Sequence, residues 1–80
     1  MKYTYSTFGT CSSLIEFEVE GGVLHNVLFY GGCNGNLQGI ARLVEGMKVE
    51  DVIARLDGIS CNGGPTSCPD QLCRALKSIG

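Results

Sequence analysis

A chain of 80 residues can hold only one domain, and a core of this size is marginal unless a metal, disulfides or a partner subunit reinforces it. Apolar residues make up 44% of the chain, with three Phe and three Tyr, which excludes a disordered segment. A net charge of −2 with no Lys/Arg cluster excludes the electrostatic footprint of nucleic-acid binding. No stretch approaches the roughly 20 apolar residues of a membrane span, and Met1-Lys2-Tyr3-Thr4-Tyr5 lacks the apolar centre of a signal peptide. The expectation is therefore a cytoplasmic protein.

The first half reads as strands. Lys2 to Phe8, with Tyr3 and Tyr5 on one face, is the first. Ile15, Phe17 and Val19 alternate with Glu16, Glu18 and Glu20, the pattern of a half-buried antiparallel strand with one wet face. Gly21-Gly22 suits a tight hairpin turn. The following run, Val23 to Tyr30, is apolar on both faces, as expected of a more central strand, and carries the one histidine, His25, on the face of Val23 and Val27. The expected role of His25 is structural.

At Gly31-Gly32 the period changes to that of helices. Leu37, Ile40, Ala41 and Val44 follow the i, i+3, i+4, i+7 spacing of an amphipathic helix that Gly46 ends. A second helix runs from Val49 to Leu56, with Val52, Ile53 and Leu56 inward and Gly58 as its stop. Ile59 to Ser67 reads as a loop. A third helix spans Pro69 to Ile79 and buries Leu72, Leu76 and Ile79. The order predicts one α+β domain over residues 1–80: a three-stranded antiparallel sheet followed by three helices packed on one face.

Five cysteines in a chain expected to be cytoplasmic direct attention to metal binding or redox chemistry before a disulfide framework. Cys11 falls in the turn between the first two strands, and Cys33 lies just ahead of the first helix. Cys61 falls in the loop that leaves the second helix. Cys68 precedes Pro69, which suits the first helical position, so Cys68 is expected at the N-cap. Unpaired N–H groups and the helix dipole favour thiolates at Cys33 and Cys68. Gly31, Gly32 and Gly35 let backbone N–H groups approach a sulfur closely. Four thiolates on one zinc leave a charge of about −2, which such donors offset.

Cys73 follows Cys68 by five residues, about 140° around a helix, and is expected at the edge of the core as a small apolar group. Thr66, Ser67, Ser12 and Ser13 lack the His/Asp partners of a hydrolase triad. Gly31 to Asn36 lacks the Lys and the spacing of a phosphate loop. Asp70, in the first turn of its helix, complements the dipole.

The stretches Gly9-Thr10-Cys11-Ser12-Ser13, Gly31-Gly32-Cys33, Gly58-Ile59-Ser60-Cys61 and Thr66-Ser67-Cys68-Pro69-Asp70 resemble the TSCPD-domain family over nearly the whole chain. The resemblance implies a four-cysteine set of Cys11, Cys33, Cys61 and Cys68, with Cys73 outside it. It also implies a link to ribonucleotide reductases, some of which carry a similar domain at their C-terminal end. A looser similarity is to the U-type iron–sulfur cluster scaffold proteins, which place cysteines at comparable points. Ser13 stands where those scaffolds have an Asp, and no His precedes Cys61 or Cys68.

The leading expectation is one metal, zinc, held by Cys11, Cys33, Cys61 and Cys68 in a structural or accessory module. The alternative is thiol redox or sulfur transfer, with Cys33 or Cys68 as the reactive thiolate and a reductase or sulfur-transfer protein as partner. Iron–sulfur ligation stands third, and a homodimer through a sheet edge is a further possibility.

Overall fold

Residues 1–7, 12–32, 34–60, 64 and 66–79 are described by a computed structural model of the chain, Ser12 and Asn34 in their backbone alone. Three strands, β1 (Lys2–Ser6), β2 (Ser12–Glu20) and β3 (Val23–Gly31), precede three helices, α1 (Asn34–Val44), α2 (Val49–Leu56) and α3 (Cys68–Ile79). The sheet is antiparallel in the order β1-β2-β3, so the fold is the expected α+β domain. Phe8, expected at the end of the first strand, lies outside the described residues.

The alternation along β2 does what the sequence dictates: Ile15 and Phe17 are buried, with Glu16 and Glu18 between and beyond them on the other face. Tyr3 of β1, paired in register with Phe17, stacks its ring on it at 5.5 Å between centroids. Gly21 and Gly22 both take positive φ, 57° and 78°, the condition for a two-residue turn whose twist matches the flanking strands.

β3 departs from expectation in two ways. It is an edge strand, and β2 is the central one. Leu28 and Tyr30 on its second face stay exposed, while its outer edge is covered at the start of the strand. The Leu24 N–H donates to the Met47 carbonyl at 2.8 Å, the Gly46 N–H to the Leu24 carbonyl at 2.8 Å, and the Val49 N–H to the Gly22 carbonyl at 2.9 Å. The α1–α2 connection thus pairs with the first half of β3 as a further strand would.

The second departure is a bulge. Between the pairs Glu18↔His25 and Glu16↔Leu28, two residues of β3, Asn26 and Val27, oppose the single residue Phe17. Asn26 takes φ 53°, a left-handed conformation that Asn adopts more readily than most residues. The extra residue lets Leu24 and Val27 both reach the core although they are three apart. His25 therefore shares a face with Val23 but not with Val27, which corrects the sequence expectation.

The core gathers Ile15 and Phe17 of β2, Leu24 and Val27 of β3, Val44 of α1, Val52 of α2, and Leu72, Ala75 and Leu76 of α3. α1 and α2 have the expected periods, with Leu37, Val44 and Val52 buried. Gly35, read as part of the loop around Cys33, lies inside the first turn of α1. α3 begins at Cys68, one residue earlier than expected. Its first turn is buried at Cys68, Asp70 and Gln71, and only later does a polar stripe of Arg74, Lys77 and Ser78 face solvent.

Candidate functional site

The start of α3 is organised by Ser67. Its carbonyl accepts the Gln71 N–H at 2.8 Å, and its hydroxyl oxygen accepts the Asp70 N–H at 3.2 Å. Those two bonds make Ser67 the N-cap, Cys68 the first helical residue and Pro69 the second. The expected assignment of the cap to Cys68 is thus off by one. A hydroxyl is a far better acceptor than a thiol, and Pro at the second position loses nothing because that N–H also has no intrahelical partner.

Around this cap lies a buried polar knot. The Ser67 hydroxyl donates to the Ile59 carbonyl at 2.6 Å. Asp70 accepts the Gly58 N–H on Oδ1 at 2.8 Å, and on Oδ2 both the Thr66 hydroxyl and Arg74 Nε, the latter at 3.0 Å. Gln71 Nε2 completes the set by donating to Thr66 Oγ1 at 3.0 Å. Thr66, Ser67, Asp70 and Gln71 are all 4% exposed or less. Among the described residues, no buried side-chain nitrogen or oxygen lacks a partner. The Thr66 hydroxyl, then the Gly58 N–H and the Arg74 cation, hold the Asp70 carboxyl below the usual carboxylate range against the opposing effect of its burial. With both oxygens engaged, Asp70 has a structural role larger than the dipole complement read from sequence. It is spent as a tie, not as a base or a ligand.

The two cysteines of α3 sit in different surroundings. Cys68 is buried at the knot, 8% exposed, on the first turn, where backbone N–H groups and the helix dipole favour negative sulfur. Cys73 is fully buried in the apolar half, and its thiol points to the Val52 carbonyl at 3.8 Å. Burial, then the nearby charges of Asp57 and Asp70, push the Cys73 thiol up to about 11. Cys73 is thus the inert, small apolar residue that the helix geometry predicted.

Cys11, Cys33 and Cys61 lie outside the described residues. Among the described residues, no three His, Cys, Asp or Glu side chains gather as a metal-holding group. Each of the three nevertheless has a described residue within two positions of it. Ser12 is in register with Gly31 at the end of the β2–β3 ladder, next to Cys11 on one side and two residues from Cys33 on the other. Gly31 and Gly32 take φ 80° and 78°, the backbone freedom expected ahead of α1. Ile59, two residues before Cys61, is tied to Ser67, the residue before Cys68.

A second polar cluster closes the bulge of β3. His25 Nδ1 lies 2.8 Å from Glu45 Oε2, the Asn26 N–H donates to Glu45 Oε1 at 2.8 Å, and Asn26 Nδ2 donates to Glu18 Oε2 at 2.7 Å. The Asn26 N–H and then His25 hold Glu45 below the ordinary carboxylate range. His25 has the structural role expected of it. On the open face of the sheet, Glu16 accepts the Tyr30 hydroxyl at 3.0 Å, which raises the phenol, and lies 4.0 Å from Lys2 Nζ.

Sequence reasoning weighed Thr66 only as a hydrolase residue and passed over Gln71 and Glu45. The spacing of Ser67 and Asp70, an Ser-x-x-Asp step at a helix start, is close to a capping box and marks the cap one residue earlier. Nothing local announces Gly58 and Ile59 as the partners of that step.

The family model of the TSCPD domain matches residues 1–79. No curated protein and no solved structure matches the chain. No helix among the described residues is long and apolar enough to cross a membrane.

Proposed function

The chain belongs to the TSCPD-domain family, and on that premise we propose that it is a metal-binding accessory domain holding one zinc ion through Cys11, Cys33, Cys61 and Cys68. The observation that carries the reading is the pair of points at which the chain is tied to itself. Cys61 and Cys68 flank the Ile59–Ser67 bond, and Cys11 and Cys33 flank the Ser12↔Gly31 register pair, each within two residues. Two residues of extended chain span about 7 Å, so each pair of sulfurs leaves a common anchor with a short reach. Cys68 also stands in the first turn of a capped helix, where the dipole favours a thiolate ligand. A structural zinc bound by four thiolates would supply the reinforcement a domain of this size lacks. Cys73, with its raised thiol, stands outside the set.

The role follows the family. A metal-stabilised module of this kind would serve a larger enzyme, a ribonucleotide reductase being the partner the resemblance implies, rather than turn over a substrate itself. The test is elemental analysis of protein purified anaerobically without chelator, for the wild type and Cys68→Ser. About one zinc per chain, lost in the variant, is the expected result. Iron in its place would turn the reading to a cluster. No metal in either protein overturns it, and leaves thiol redox or sulfur transfer by Cys33 or Cys68 as the function to pursue.

A further inference from the structure

The outer edge of β3 is occupied over only part of its length. At Leu24 both backbone groups bond the α1–α2 connection, and at the bulge the Asn26 N–H donates to Glu45. Phe29 differs. The Val19 N–H donates to the Met1 carbonyl, so Val19 turns its backbone towards β1, and the unbroken β1–β2 register gives Ile15 the same direction. Phe29, opposite Ile15, therefore turns its N–H and carbonyl away from β2. The next residue agrees, since the Tyr30 carbonyl turns back to accept the Ser13 hydroxyl at 3.3 Å. Among the described residues no backbone partner meets Phe29 on its outer side.

A groove of about 330 Å³ lies beside this open stretch, between β3 and α1. Three consecutive strand residues, Val27, Leu28 and Phe29, line it although side chains alternate between the faces of a sheet, so the groove follows the edge. Leu37 and Ala41 of α1 add apolar surface, and the exposed Arg42 adds a charge. Arg42 makes no ion pair among the described residues.

We propose that this edge and groove dock an extended segment of a partner protein, which pairs its backbone with Phe29 and offers a carboxylate to Arg42. The segment continues along β3 the strand-like cover that Gly46 to Val49 supply at its start, and its apolar side chains meet Leu37 and Ala41. A second copy of this chain fits worse. An isologous contact sets a patch against itself, and the described lining carries a cation and no carboxylate. The inference rests on the accessory-domain reading for its use alone, which is to give the module a hold on the protein it serves.

The test is selection of short random peptides, displayed on phage, against the full-length wild type and Arg42→Glu. The wild type should enrich peptides with alternating apolar residues and an Asp or Glu at a fixed place. Arg42→Glu changes an exposed helical residue and should keep the fold, but enrich Lys or Arg at that place instead. A synthetic peptide of the wild-type consensus should bind the variant about tenfold more weakly or worse. In its complex with the wild type, hydrogen exchange at the Phe29 amide should slow about tenfold or more, because the N–H gains a backbone partner. The Leu24 amide, already bonded, should change little. Consensus peptides that bind both proteins equally, or that leave Phe29 exchange unchanged, overturn the proposal, as does the absence of any enriched sequence. Protection of Phe29 that rises with protein concentration in the absence of peptide overturns it in favour of a second copy. None of these readouts is metal content, so the zinc reading and the docking surface fail separately.

Discussion

Two carboxylates in this domain make nearly the same bonds in opposite surroundings. Asp70 accepts the N–H of Gly58, twelve residues away, and pairs with Arg74. Glu45 accepts the N–H of Asn26, nineteen residues away, and pairs with His25. The Asp70 side chain is 5% exposed and the Glu45 side chain 47%. Both tie a connection to a regular element, and both are held below the usual carboxylate range by their donors. The difference is solvent. Removing the buried carboxylate strands the Thr66 hydroxyl, on a residue 3% exposed, whereas water can take the place of Glu45 at the bulge.

That contrast orders the mutational effects. Asp70→Ala should be the most damaging, costing about 3 kcal/mol, because it breaks a buried charge-assisted network and leaves its partners unpaired. For a domain of this length that is a large part of the roughly 4–12 kcal/mol available. Chemical denaturation of the metal-free protein would read it as a fall in midpoint at unchanged slope. A loss below about 0.5 kcal/mol would mean the knot is solvated and the contrast with Glu45 false.

Ser67→Ala comes next. It removes the cap of α3 and the bond to the Ile59 carbonyl, for a cost of about 1–2 kcal/mol. Glycine at this position should recover part of the loss, since Gly is a tolerated N-cap, while leaving the Ile59 bond unmade. Equal effects of Ala and Gly would assign the whole cost to the tie and none to the cap. Either variant should also lower zinc occupancy if the four-cysteine reading holds, because Cys68 is the next residue.

What could be read in advance and what could not divides along a similar line. The strands, the three helices and their stops follow from period and from glycine, so they were legible: Ile15 and Phe17 go inward, and Gly21-Gly22 turns the chain. Cys73 was legible too, because helical spacing alone turns it from Cys68 into the core. The bulge at Asn26 was not, since an Asn in a strand pattern gives no sign that one residue will be left unpaired. It misassigned the face of His25. The covered edge of β3 was hidden because its partner, Gly46–Val49, lies beyond an intervening helix. The knot was half visible: Ser67 and Asp70 have capping spacing, but Gly58 and Ile59 are joined to them only by the tertiary fold. Pro69 drew the cap to Cys68 because Pro favours the first helical position, and here it takes the second.

The smallest effect belongs to Glu45, and pH is the way to see it. Its folded-state value lies below the unfolded one, near 4.3, so its contribution to stability is fully present above that pH and is lost as pH falls through the folded value. The first cause of the shift is the Asn26 N–H, which keeps its donor at any pH, so the bond weakens only when the carboxylate itself takes a proton. Glu45→Gln should therefore be less stable than the wild type at pH 7, and the two should converge as pH falls through the lowered folded-state value. Salt should leave the gap at pH 7 largely in place, since screening acts on charges and the leading donor is a neutral amide. A gap that is constant from pH 7 to pH 3 would mean the side chain matters at the bulge by shape alone. Asp70 has the same sign of shift, but its carboxylate is buried, so its protonation at low pH should cost more stability than that of Glu45.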